Sequence, residues 1–223
     1  MRLALLLFLI LTACGRPLTP AEKGFASRMH GDSIDTDVIR LIPGAPLRSV
    51  TYKRQKRPRL ACRERILPEP TTDMVTVGPA AIALHNKVFF TDDYYLDDYL
   101  IGDPTRLYLI EAMIFSHEIT HVWQWQNRRL TGYSPLRAMR EHTTTDDPYL
   151  FDVDTNNRFL DYAYEQQASI VEEYVCCAAL DPDAPRTKRL ESMLRDTFPL
   201  QDLNIPDEIA LPWEGVKVEG ICR

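Results

Sequence analysis

The sequence predicts an α+β fold, with a small strand-rich N-terminal part followed by a mainly helical part. Three observations carry this. Between Gly31 and Phe90, short β-branched and apolar stretches are broken by Pro and Gly, the composition of strands and turns. Beyond Phe90, apolar positions such as Leu107, Ile110, Ile114, Val122 and Trp125 recur at helical spacing. The 223 residues are 45% hydrophobic and 26% charged, which suits one folded domain and excludes wholesale disorder or a polytopic membrane protein. A net charge of -6 argues against nucleic acid as the main partner, because phosphate binding needs a positive surface.

The first residues stand apart from the fold. Arg2 precedes an apolar run from Leu3 to Leu11, too short to span a membrane but laid out as a secretory signal. The run ends in Leu11-Thr12-Ala13-Cys14-Gly15, which resembles the bacterial lipobox. That resemblance implies a signal peptide over residues 1–13, cleavage before Cys14, and acylation of Cys14. Several acyl chains on one residue would anchor the protein stably to the cell envelope. Residues 14–20, with Pro17 and Pro20, read as a short tether, and residues 21–223 as one domain.

Thr19-Pro20-Ala21-Glu22 has the pattern of a capping box, predicting a helix to about Met29 that stops at Gly31. Strands are expected over 37–42, 49–53, 73–77 and 80–84, the last turning near His85-Asn86 into a hairpin that ends at Phe90. A short helix is expected over 94–100, and Asp103-Pro104 is read as the cap of a long helix reaching about Arg129. Residues 143–156, rich in Thr, Asp and Asn, read as a loop. A second long helix is expected from about Asn157 to Leu180, another over 185–197, then an irregular tail with a strand near Val216.

Export would place Cys62, Cys176, Cys177 and Cys222 in an oxidising compartment. Adjacent cysteines rarely bond to each other, so one of Cys176 and Cys177 is expected to join Cys62 and the other Cys222. A metal site built from the four is disfavoured because no CxxC spacing occurs. The basic residues Arg48, Lys53, Arg54, Lys56, Arg57, Arg59, Arg63 and Arg65 read as a solvated face, with contact to anionic lipid or another polyanion as the alternative.

The chemistry is concentrated in His117-Glu118-Ile119-Thr120-His121. Residues four apart on a helix face the same way, so both imidazoles can converge on one metal ion with Glu118 beside it. This suits zinc, which activates water while Glu118, as general base, accepts the proton. In a random chain of this length and composition HExxH arises on the order of one time in a hundred. A catalytic zinc takes a third protein ligand, and Glu165 on the next long helix is preferred, with small Ala168 one turn later permitting close approach. Glu172, Glu173, His142, His85 and Asp161 remain alternatives. Glu172 or Glu173 could instead accept the N–H of a zinc-bound histidine. Glu173 reads best as an exposed surface residue. Tyr162 is the preferred donor to a developing oxyanion, with His142 and Tyr149 as weaker candidates. Trp123 and Trp125 are expected to pack rather than to line a cleft.

The run His117-Glu118-Ile119-Thr120-His121-Val122-Trp123-Gln124 resembles the HExTHVxQ signature of predicted zinc metallopeptidases related to the core domain of extracellular contractile injection systems. The lead-in from Gly31 to Arg40 and the hairpin at Ala80 to Phe90 are similar to theirs, and Tyr162, Glu165 and Ala168 resemble the glutamate helix of gluzincin-type peptidases. The resemblance covers about Phe25 to Ala179. It implies a zincin-like fold, with Zn2+ on His117, His121 and Glu165, and supplies no substrate. The function expected from the sequence is a membrane-anchored, exported zinc metallopeptidase acting on peptide or protein substrates. The competing reading is a non-catalytic envelope lipoprotein in which zinc ties two helices together as a scaffold, favoured if a further protein ligand such as Glu172 closed the fourth position.

Overall fold

The computed structural model describes residues 15–45, 47–53, 59–144, 147–152 and 156–223. The expected signal peptide, the lipidation site Cys14 and the basic residues Arg54, Lys56 and Arg57 lie outside the described residues. The fold is α+β. In chain order its elements are α1 (Pro20–His30), β1 (Arg40–Pro43), β2 (Val50–Lys53), α2 (Cys62–Ile66), β3 (Met74–Val77), β4 (Ala81–Leu84), β5 (Lys87–Phe90) and β6 (Arg106–Tyr108). The helical part follows with α3 (Leu109–Gln126), α4 (Arg128–Thr131), α5 (Pro135–Thr144), α6 (Tyr164–Leu180) and α7 (Pro185–Arg195), then β7 (Glu208–Ala210). Among the described residues no helix is long and apolar enough to cross a membrane.

Helix α1 starts as its sequence dictates. Thr19 Oγ1 accepts the Glu22 N–H at 3.2 Å, and Glu22 Oε2 accepts the Thr19 N–H at 2.8 Å. Glu22 is buried, and Arg16 donates to both its carboxylate oxygens at 2.8 Å while the Tyr99 N–H reaches Oε1 at 3.0 Å. The helix ends at Gly31 with φ +55°, where a Cβ would also come within 2.1 Å of Pro199, so both the backbone and the packing require glycine.

The main sheet has the order β1-β5-β4, with β1 parallel and β4 antiparallel to β5. Leu41, Val88 and Ala83 lie in register across it and are buried, whereas Ile82 and Leu84 on β4 point outward. That alternation gives one wet face and one face for the helices. Helix α3 packs on β4 and β5 on one side and most extensively on α6 on the other. It is therefore buried almost all round, from Leu109 to Gln124, which is why its sequence shows only a weak apolar stripe.

Two disulfides, Cys62–Cys176 and Cys177–Cys222, tie α6 to α2 and to the C-terminal tail. The pairing is of the kind expected, and the structure fixes which cysteine takes which partner. Closing loops of 114 and 45 residues stabilises the fold by about 5 and about 4 kcal/mol in the chain-entropy account.

Several expected elements differ. Residues 94–100 form turns rather than a helix, because the Tyr99 and Leu100 N–H groups are taken by the side chains of Glu22 and Asp98 instead of by preceding carbonyls. Asp103-Pro104 is a cis peptide within a turn and caps no helix; β6 follows it, pairs in parallel with β7, and only then does α3 begin. The tail strand accordingly lies at Glu208–Ala210 and not near Val216. Pro135 opens α5, so the loop expected from residue 143 starts later. The second long helix starts at Tyr164 rather than Asn157, since Asp161 turns back to accept the Arg158 N–H at 2.9 Å. Helix α2 was not expected. Arg59 and Arg65 knit it together, donating to the Glu64 carbonyl at 2.7 Å and the Arg59 carbonyl at 3.0 Å, so these two cations serve the local fold.

Candidate metal centre

Helix α3 presents His117 and His121 one turn apart, their ring centroids 5.0 Å from each other. Antiparallel packing of α6 brings Glu165 to both. Glu165 Oε2 lies 3.4 Å from His117 Nε2 and 3.3 Å from His121 Nε2, and all three side chains are buried. These distances are long for hydrogen bonds. They match the edge of a tetrahedron whose centre lies about 2.0–2.1 Å from each atom, roughly 3.3–3.4 Å, the dimension of a zinc site. The three ligand atoms form a group that could hold a metal ion.

The other edge of each imidazole is held. His121 Nδ1 is 2.8 Å from Gln124 Oε1. The Gln124 amide nitrogen donates to the Tyr164 carbonyl at 3.0 Å and to Gln167 Oε1 at 2.9 Å, so its oxygen must face the ring. His121 Nδ1 is therefore the donor, and the Nε2 lone pair points at the shared centre. His117 Nδ1 lies 3.2 Å from Glu172 Oε2. A carboxylate or amide oxygen behind each metal-directed histidine is the arrangement that fixes tautomer and ring orientation in metal sites. The donor set thus fits a zinc-type ion on its own chemistry.

The centre is electrostatically coupled. Burial works against charge on His117, but the Glu165 and Glu172 carboxylates beside its ring outweigh it and push the group up to about 10. Burial opposes the charge on Glu165 as well, yet the histidines His121, His117 and His142 hold it far below the usual carboxylate range. For Glu118 burial wins and the carboxyl is pushed up. Glu118 Oε2 is buried and has no hydrogen-bond partner among the described residues. An orphaned buried carboxylate oxygen beside a metal-type triangle is an acceptor without a protein donor.

The start of α6 is set by α5. Glu141 accepts the Tyr164 and Glu165 N–H groups, each at 3.0 Å, capping the helix at the residue that enters the centre. The neighbouring His142 places Nε2 3.1 Å from Glu165 Oε1, the oxygen turned away from the triangle. Nothing in the local sequence marked Glu141; its signal is only that a carboxylate and a histidine adjoin on the helix facing the glutamate helix.

The other candidates are placed differently. Tyr162 precedes α6, and its hydroxyl donates to the Asp152 carbonyl, so it is not directed at the triangle. The tyrosine rings near the histidines are Tyr149, 6.0 Å from His117, and Tyr133, 6.2 Å from His121. Glu173 is buried rather than exposed, accepting the Cys62 N–H at 2.7 Å and Arg186 Nε at 2.8 Å. His85 packs on Trp125 with centroids 3.9 Å apart, and Asp161 caps its own turn. Trp123 is fully buried and donates to Ser33 Oγ at 2.8 Å. Cys62, Cys177 and Cys222 also cluster, but all three are in disulfides and offer no thiolate.

No family model matches the sequence, and no curated protein matches it. Among solved structures, the chain is similar to the effector domain of Pseudomonas aeruginosa VgrG2b, at 24% identity and a TM-score of 0.49, over 82% of this chain and 84% of that one. That likeness is too remote to carry residue roles, which rest on the geometry above.

Proposed function

We propose that the protein is a zinc metallopeptidase with a zincin-like fold, in which His117, His121 and Glu165 hold the ion and Glu118 is the general base. The observation that supports this best is the conjunction of a tetrahedron-sized ligand triangle with an orphaned, buried carboxylate oxygen one residue away on the same helix. Zinc, when bound, supplies a Lewis acid that polarises a carbonyl and makes water acidic near neutral pH. The chain supplies the rest. Glu118 takes the proton of the attacking water and returns it to the departing amine. Gln124 and Glu172 hold the imidazoles in the tautomer that turns Nε2 inward. Burial of Glu118 raises its affinity for that proton.

The scaffold reading loses its specific support, because Glu172 lies behind His117 at Nδ1 and does not join the triangle. A purely structural site also has no use for Glu118. The substrate is proposed to be a peptide or protein of the cell envelope, reached by export and by acylation of Cys14. Metal analysis of the purified protein and peptide turnover by Glu118→Gln test the reading. One zinc per chain, retained in E118Q with turnover lowered about 100-fold or more, is the expected result. A protein without zinc, or E118Q as active as wild type, rejects it.

A further inference from the structure

Helix α2 contributes one residue to the centre that neither the motif nor the ligand triangle explains. Arg63 Nη1 lies 3.3 Å from Glu172 Oε1, while the other oxygen of the same buried carboxylate faces His117 Nδ1 at 3.2 Å. We propose that Arg63 is a positioning residue for the metal centre, delivered by a helix that the Cys62–Cys176 disulfide fastens to α6; this rests on the centre being a zinc site.

Helix α2 has only five residues and cannot hold its place by its own hydrogen bonds. Three attachments to one stretch of α6 do so instead. Cys62 is bonded to Cys176, its N–H donates to Glu173 Oε2 at 2.7 Å, and the next residue, Arg63, reaches Glu172. Residues 172, 173 and 176 occupy a single turn of α6, so the contacts fix α2 in position and direction. Arg63 itself is half-exposed, and nothing about its own burial forces it onto Glu172.

The contact decides which way Glu172 turns. A glutamate carboxylate is three rotatable bonds from the backbone, and an imidazole N–H holds only one of its oxygens. With Arg63 on Oε1, Oε2 stays aimed at Nδ1; without it the carboxylate can swing off the ring. His117 would then lose the acceptor that orients Nε2 towards the ion. Loss of a partner of this kind lowers metal affinity by about 10- to 100-fold.

The test is a double-mutant cycle on the disulfide-intact protein, measuring Zn2+ affinity by competition with a chromophoric chelator and the visible absorption of the Co2+-loaded protein. Arg63→Ala is expected to weaken Zn2+ binding about tenfold and to shift the Co2+ bands, as is Glu172→Gln. The R63A/E172Q double variant should bind within about twofold of E172Q alone, because Arg63 acts through Glu172. Arg63→Lys should recover most of the affinity, and it takes the place of R63A in the cycle, with a loss of about threefold, if R63A does not fold. Wild-type affinity in R63A, or losses that multiply in the double variant, overturns the role of Arg63 and leaves the zinc site standing. A wild-type protein that binds no Zn2+ overturns the proposed function itself.

Discussion

Replacing Gln124 tests whether the signature glutamine orients a ligand or only packs. Gln124→Leu keeps the volume of the side chain and removes three hydrogen bonds: from His121 Nδ1 at 2.8 Å, to Gln167 Oε1 at 2.9 Å and to the Tyr164 carbonyl at 3.0 Å. The Tyr164 carbonyl lies in the first turn of α6 and keeps its helical partner. The His121 N–H and the Gln167 oxygen are left buried with one bond fewer, each at a cost of about 1–3 kcal/mol. The expected loss of stability is therefore about 2–6 kcal/mol, a fall in Tm of roughly 4–24 °C for a domain of this size. Zinc affinity should fall by about 10- to 100-fold, because His121 is no longer held with Nε2 inward. Gln124→Glu separates the two effects, since it retains the oxygen that accepts from His121 but places lone pairs against Gln167 and Tyr164. It should lose stability comparably while binding zinc within a few-fold of wild type. Thermal melts and chelator competition measure both. If Q124L melts early but binds zinc as tightly as wild type, Gln124 does not orient His121.

Glu141→Gln weakens the cap on α6 and should cost about 1 kcal/mol, read by thermal unfolding; a larger fall in peptide turnover than E141Q's stability loss explains would show that Glu165 has been displaced. His30 is fully buried between Trp123 and Phe198, with both ring nitrogens unpartnered among the described residues, and burial pushes it down to about 3. The unfolded chain takes up its proton below about pH 6.5 and the folded protein only near pH 3. Stability from this group is therefore complete above about pH 6.5 and lost as pH falls, at up to about 1.4 kcal/mol per unit. Denaturation curves at successive pH values should show His30→Phe with a shallower acid slope than wild type. Replacing Cys177 and Cys222 together by serine should cost about 4 kcal/mol in the chain-entropy account, checked by urea unfolding, and leave zinc affinity within a few-fold because that bridge touches no residue of the centre.

The geometry of the candidate site was more legible than the architecture around it. HExxH on a helix states its geometry outright, since two imidazoles four residues apart have one common direction. The nearness of Glu165 to that pair was also readable, because small Ala168 one turn later lets its helix approach closely. The hairpin of β4 and β5 and the capping box at Thr19 are local codes as well, and both stand as read. What the sequence hid depends on distant partners. Arg106 to Tyr108 look like the first turn of a helix until Glu208 to Ala210 return to pair with them. Tyr99 withholds its N–H from a helix only because Glu22, far away in sequence, accepts it. Glu173 looked exposed because two adjacent glutamates normally seek water, and its burial rests on Arg186 and on the backbone of Cys62.

Helix α6 explains why these distant contacts converge. Glu165 and Glu172 are seven residues apart, about 10 Å along the axis and on one face. They reach the two edges of a single imidazole, Oε2 of Glu165 at His117 Nε2 and Oε2 of Glu172 at Nδ1. Such a pincer works in one register only, since sliding α6 by one turn along α3 removes both oxygens from the ring. The helix is accordingly fixed at both ends: Glu141 holds its first N–H groups, and the disulfides of Cys176 and Cys177 hold its last turns. Residues outside the triangle thus set its geometry by stopping one helix from sliding. Cutting the pin at Glu141 or the bridge at Cys176 should loosen the metal before it unfolds the domain, whereas the bridge at Cys177 should matter little to the metal, because only the Cys176 bridge also carries Arg63 to Glu172.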